Sequence, residues 1–112
     1  MIITKKTDSN YLIELTETEK NAMLNSIKFI INDLGEDELQ TRTGFDVNEY
    51  ASLSNVISQS SNPTILNEDG ISMLRQALNE VGQGIHIPNF EQEIGVPHLE
   101  AIKMLRYIHE NR

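Results

Sequence analysis

Apolar residues at Met23, Ile27, Ile30 and Leu34 recur at spacings of four and three, the period that holds one stripe of an α-helix against a core. The same period returns in Val47, Tyr50, Leu53 and Ile57, then in Ile71, Leu74, Leu78 and Val81, and last in Ala101, Ile102, Leu105 and Ile108. These stripes predict helices near 16–34, 46–59, 67–82 and 97–111. They also predict a core that holds Met23, Ile27, Ile30, Leu34, Leu53, Ile57, Leu74, Leu78, Val81, Leu105 and Ile108.

Polar residues at the ends of the stripes agree with those spans. Thr16-Glu17-Thr18-Glu19 has the form of a capping box, and Asp46-Val47-Asn48-Glu49 is a second cap pattern. Asn67 is placed to cap the third helix, with Leu66 and Ile71 as a hydrophobic staple, and Pro97 suits the first turn of the fourth. Gly35 reads as a left-handed stop, Gly44 and Gly95 as turn residues with positive φ, and Gly82 and Gly84 weaken the end of the third helix.

Ahead of the first helix, Ile2-Ile3-Thr4 and Tyr11-Leu12-Ile13-Glu14-Leu15 flank a polar stretch, the pattern of a short β-hairpin; Thr64-Ile65-Leu66 is a candidate third strand. A frayed extended arm is the alternative for this segment. The fold class expected is mainly α, with two helical-hairpin halves and a small N-terminal β-hairpin. One domain is expected over 1–112, divided into a β arm at 1–15, a first helical half at 16–62 and a second at 63–112. The polar run Ser58-Gln59-Ser60-Ser61-Asn62-Pro63 reads as the linker between halves.

Shifting the chain against itself by fifty-one positions aligns Leu15 with Leu66, Glu17 with Glu68, Gly44 with Gly95, Glu49 with Glu100 and Ile57 with Ile108. The apolar register follows: Met23, Ile27, Ile30 and Leu34 fall on Leu74, Leu78, Val81 and Ile85. Either a tandem duplication or two hairpins built on one shared pattern explains this.

Composition narrows the classes of function. Apolar residues make up 38% of the 112 positions and charged residues 23%, too apolar for a disordered tail and too polar for a membrane protein. No apolar run is long enough for a signal peptide or a membrane span, so a cytoplasmic protein without a membrane partner is expected. The chain has no cysteine, which excludes disulfides, thiolate nucleophiles and cysteine-ligated zinc. Its net charge is −8, and positions 12–62 hold nine acids against three bases. A field of that sign repels phosphate backbones and attracts basic partners.

Candidate chemistry is sparse. His86, His98 and His109 lie at no metal-ligand spacing, Gly82-Gln83-Gly84 follows a helix where a phosphate loop would open one, and no carboxylate pair stands out. No catalytic residue, cofactor or metal site is therefore expected, and the chain reads as a binding protein, with a small enzyme or scaffold subunit as the remaining alternative. The segment from Phe90 to Leu105, turning at Gly95, is similar to the helix-turn-helix unit of many DNA-binding proteins, and Leu39 to Leu53 echoes it around Gly44. Glu91 and Gln40 stand where that unit usually has a small residue, and the first copy lacks Lys and Arg on its second helix. The copy at 97–112 offers Lys103, Arg106 and Arg112. No nucleic-acid binding is expected, because counterion release at phosphates needs more positive charge than this.

The remaining feature is an acidic run. Asp33, Glu36, Asp37 and Glu38 surround the loop expected after the first helix, and Asp46 and Glu49 open the next helix, with Arg42 the one base among them. A solvated face is one reading. The other is a partner-binding surface for a basic protein. In size and charge the chain resembles bacterial immunity and antitoxin proteins, a likeness of class and composition that implies a basic partner such as a nuclease toxin. Pairing of two chains through the hairpin edge stays open.

Overall fold

A computed structural model of the chain describes residues 1–7, 9–59 and 62–112. Asp8 of the expected hairpin turn and Ser60 and Ser61 of the expected linker lie outside the described residues. The chain is mainly helical, with a small antiparallel sheet.

The sheet has three strands, β1 (Ile2–Lys5), β2 (Asn10–Glu14) and β3 (Thr64–Asn67), in the order β1-β2-β3. Ile3 pairs with Ile13 and Tyr11 with Leu66, so the candidate third strand completes the expected hairpin and joins the two halves. Alternation sends Ile3, Tyr11, Ile13, Thr64 and Leu66 inward onto the helices. Two tyrosines fasten the strands: the Tyr11 hydroxyl donates to the Glu68 carboxylate at 2.5 and 3.0 Å, and the Tyr107 hydroxyl accepts from the Ile3 amide at 3.2 Å.

Helix α1 (Glu17–Leu34) starts at the expected box: the Glu19 amide donates to Thr16 Oγ1 at 3.1 Å and the Thr16 amide to Glu19 Oε1 at 2.9 Å. Gly35 has a positive φ of 77° but an extended ψ of 170°, so it ends α1 without the left-handed stop expected. It leads straight into α2 (Glu36–Thr43), where a loop was predicted. No apolar stripe marks this helix in the sequence, because its eight residues bury little, Leu39 and Thr43 alone being buried. Its helicity rests instead on three acids at the positive end of its dipole, with Arg42 near the negative end.

Gly44, at φ 85° and ψ 2°, closes α2 in the left-handed region and α3 (Val47–Gln59) follows. Helix α4 (Glu68–Asn79) is capped by Asn67, whose Oδ1 accepts from the Gly70 amide at 2.8 Å. It does not fray at its glycines. It widens into a π-helical turn, Glu80–Gly84. Helix α5 (Phe90–Ile94) ends at left-handed Gly95, and α6 (His98–Asn111) closes the chain with Pro97 as its cap.

One core contains residues of the sheet and both helical halves. Nine of the predicted core positions are buried, whereas Leu34 and Leu105 are half-buried at its edge. On α6 the inward row is Ala101, Met104 and Ile108, which turns Leu105 aside.

Candidate functional site

The six carboxylates singled out in the sequence occupy three places. Asp33 is exposed near the end of α1, in a cleft it shares with Lys28 and with Glu93 of α5. Glu36, Asp37 and Glu38 are exposed in the first turn of α2. Asp46 and Glu49 form a capping box at α3: the Glu49 amide donates to Asp46 Oδ1 at 2.8 Å and the Asp46 amide to Glu49 Oε1 at 3.1 Å. Asp46 is consequently half-buried, while Glu49 remains exposed. Arg42 lies 3.9 Å from Glu38 through Nη1, but its main partner is elsewhere.

That partner is Glu80. Its side chain is 7% exposed, and Arg42 Nε meets Glu80 Oε1 at 2.7 Å while Arg42 Nη2 donates to the Gly84 carbonyl at 3.1 Å. The π-helical turn is held from the other side by His98, whose Nε2 lies 2.6 Å from the Gly82 carbonyl. A carbonyl only accepts, so Nε2 carries the proton. The His98 ring stands edge-on to Phe90 at 5.0 Å between centroids, a packing role that spacing along the chain does not reveal. Among the described residues no group of three or more His, Asp or Glu side chains gathers as a metal site.

Burial and hydrogen bonding shift three groups. The Tyr50 hydroxyl is pushed well above its ordinary value of 10.0, chiefly by burial and further by the negative charges of Glu80 and Glu49, against a smaller opposing bond with Thr43. It donates to the Met73 carbonyl at 3.0 Å. The Tyr11 hydroxyl is raised by its bond to Glu68 and then by burial. For Glu19, burial works to raise the carboxyl, but bonds from the Met1 α-amino group and Thr16 outweigh it and lower the value.

A groove of about 400 Å³ lies between α3, β3 and the start of α4. Leu53, Leu66 and Met73 form its apolar base, and Val56 and Ile65, 44% and 55% exposed, stand in it. Glu49 and Asp69 supply its charge, and no base lines it. Of the six predicted carboxylates, Glu49 is the one in this groove. The rest of the groove was not singled out in the sequence, although strand alternation carries the signal: Ile65 points outward because Thr64 and Leu66 point in.

The segment similar to a helix-turn-helix forms a five-residue helix α5, a left-handed turn at Gly95 and helix α6. Its bases do not share one face, because Lys103 is set apart from Arg106 and Arg112, which both lie toward α4. Lys103 is 3.4 Å from Glu100, in a cleft beside Met1 and Tyr107; Arg106 lines a groove toward α4; Arg112 donates to the Ser72 hydroxyl at 3.0 Å. Among the described residues no helix is long and apolar enough to cross a membrane. No known protein family, curated protein or solved structure matches the chain.

Proposed function

We propose that the protein is an interaction module that receives a basic, amphipathic segment of a partner protein in the groove between α3, β3 and α4. One observation carries the reading: two of the four large apolar residues exposed among the described residues, Val56 and Ile65, stand together in a groove charged by Glu49 and Asp69. Covering such half-exposed side chains contributes on the order of 1 kcal/mol each. The two carboxylates favour a segment with lysine or arginine beside its apolar residues. Asp33, Glu36, Asp37, Glu38 and Asp46 act on this reading as a field that speeds the approach of a positive partner. An inhibitor of a basic enzyme, of the immunity or antitoxin kind, is the form that suits this size and charge, and the cytoplasm is its natural place.

Tandem organisation belongs to the same proposal. Helices α1 and α4 begin fifty-one residues apart, at Glu17 and Glu68, α2 and α5 end with that separation, and so do the starts of α3 and α6. Ala22, Met23, Ser26, Ile27 and Ile30 are buried, and so are Met73, Leu74, Ala77, Leu78 and Val81. This register supports two copies of one strand-and-three-helix unit.

A second reading, duplex DNA on α6, has the turn at Gly95 in its favour, and against it the separation of Lys103, paired with Glu100, from Arg106 and Arg112. Peptide titration followed by amide NMR tests the choice. A helical peptide alternating leucine and lysine turns should shift Ser52, Val56, Ile65 and Asp69, with loss of binding in Ile65→Asp and weakening in Glu49→Gln/Asp69→Asn. Equal binding by a scrambled peptide, or shifts confined to α6 on adding a DNA duplex, would overturn the proposal.

A further inference from the structure

On a different face, α4 and α6 pack side by side and leave a groove of about 250 Å³. Helical spacing puts Arg75 and Asn79 on one wall, with Gln83 of the π-helical turn beyond them, and Arg106 and His109 on the other. In a chain of net charge −8, this groove gathers two guanidiniums and an imidazole and has no acid in its lining. Of the acids of the same elements, Glu68 is bonded to Tyr11, Glu80 to Arg42 and Glu100 to Lys103, Asp69 lies in the α3–β3–α4 groove, and Glu110 follows His109 on α6 outside the lining. Arg112, bonded to Ser72, adds a further positive charge where α6 ends against α4.

Among the described residues the side chains of Arg75, Arg106 and His109 make no hydrogen bond or ion pair, and Arg75 Nε is buried without an acceptor. A buried donor on a charged group is costly to leave unmet, and cations brought together without counter-charge repel one another. The repulsion falls when an anion enters. Ile102 and Leu105 add an apolar wall beside the cations, and Asn79 and Gln83 add amides that donate or accept. The space lies below the range of about 300–1,000 Å³ usual for drug-sized ligands.

We infer that the α4–α6 groove binds a small organic anion, its carboxylate or phosphate held by Arg75 and Arg106 and its short apolar body laid on Ile102 and Leu105. Two arginine forks suit either oxyanion, so the head group is settled by measurement.

The whole chain is titrated with hexanoate, phenyl phosphate, inorganic phosphate and hexanol while the side-chain signals of Arg75, Arg106, Ile102 and Leu105 are followed by NMR. Saturable shifts are expected with hexanoate or phenyl phosphate, the stronger of the two identifying the head group. Arg106→Gln, at an exposed position, should weaken that binding about tenfold, the loss of one charge-assisted contact. Arg75→Met should weaken it at least as much, and thermal melting of that variant shows whether it folds. Binding of hexanol as tight as that of hexanoate would overturn the inference, as would inorganic phosphate matching phenyl phosphate. So would shifts that persist unchanged in Arg106→Gln, or the absence of shifts with every probe.

Discussion

Arg42 Nε lies 2.7 Å from Glu80 Oε1, and through this contact α2 is tied to the turn where α4 widens into a π-helix. The pair is uneven, with Glu80 at 7% exposure and Arg42 at 32%. Glu80 is the member that cannot find water on its own. Gly84 completes the fit, because a Cβ there would fall 2.5 Å from Glu80 Oε2.

Arg42→Met should therefore destabilise the protein by about 3 kcal/mol, the low end for stranding a buried charge, since Arg42 itself is partly solvated. Urea denaturation measures this. Adding Glu80→Leu should recover part of the loss; a double variant that falls further than the sum of the singles would refute the assignment.

Tyr50→Phe should cost about 1 kcal/mol near neutral pH, where the Met73 carbonyl loses its donor. At alkaline pH the order changes. Above the ordinary value of 10.0 the unfolded chain gives up the Tyr50 proton while the folded chain keeps it, so rising pH favours unfolding of the native protein. The stability of the native protein relative to the variant should fall by up to about 1.4 kcal/mol per pH unit in that window, and denaturation curves at several alkaline pH values will show whether it does.

Gly95→Ala should be more harmful than Gly44→Ala. Both glycines are left-handed, at φ 102° and 85°, so each alanine pays for its backbone, about 1–2 kcal/mol. At Gly95 the new Cβ also stands 3.3 Å from Asn25 Nδ2, which donates to the Ile94 carbonyl at 2.9 Å; at Gly44 nothing lies within 4 Å. Melting temperatures in the opposite order would show that the α1–α5 contact tolerates crowding.

Replacing Glu36, Asp37 and Glu38 together by Gln, Asn and Gln should slow capture of a basic partner and also cost about 1 kcal/mol of stability, because the three acids face the positive end of α2. The stability loss should shrink with added salt. Thermal scans at low and high ionic strength distinguish this from a loop, where neutralisation would leave stability unchanged.

Period and caps were sufficient for α1, α3 and α6, whose stripes run unbroken between Thr16 and Leu34, Asp46 and Ile57, and Pro97 and Ile108. They failed where stability comes from charge or from a distant partner. Helix α2 has two buried residues and an acidic first turn, so no stripe announces it. The end of α4 has two glycines and looks broken, yet Arg42 and His98 hold it from elsewhere in the chain. Leu105 was expected inside because adjacent rows of α6, Ala101-Met104-Ile108 and Ile102-Leu105, share one period; packing chose between them. The acidic run was visible as composition, but the groove near Glu49 needs β3 and α4 to be folded against α3 before Asp69 and Ile65 arrive.

The central place of β2 in the sheet sets an order of assembly. Tyr11 and Ile13 meet their partners on β3 across the whole first helical half, so their pairing must wait for a long loop to close. Helices α1 to α3 rest on local backbone bonds, and contacts of short sequence separation form fastest. During synthesis the first half thus emerges with β2 open on the side that β3 will occupy, and Tyr11 gains its Glu68 acceptor when the second half is made. A chain halted before β3 lacks the strand that covers β2 on that side, and presents a strand edge to its neighbours.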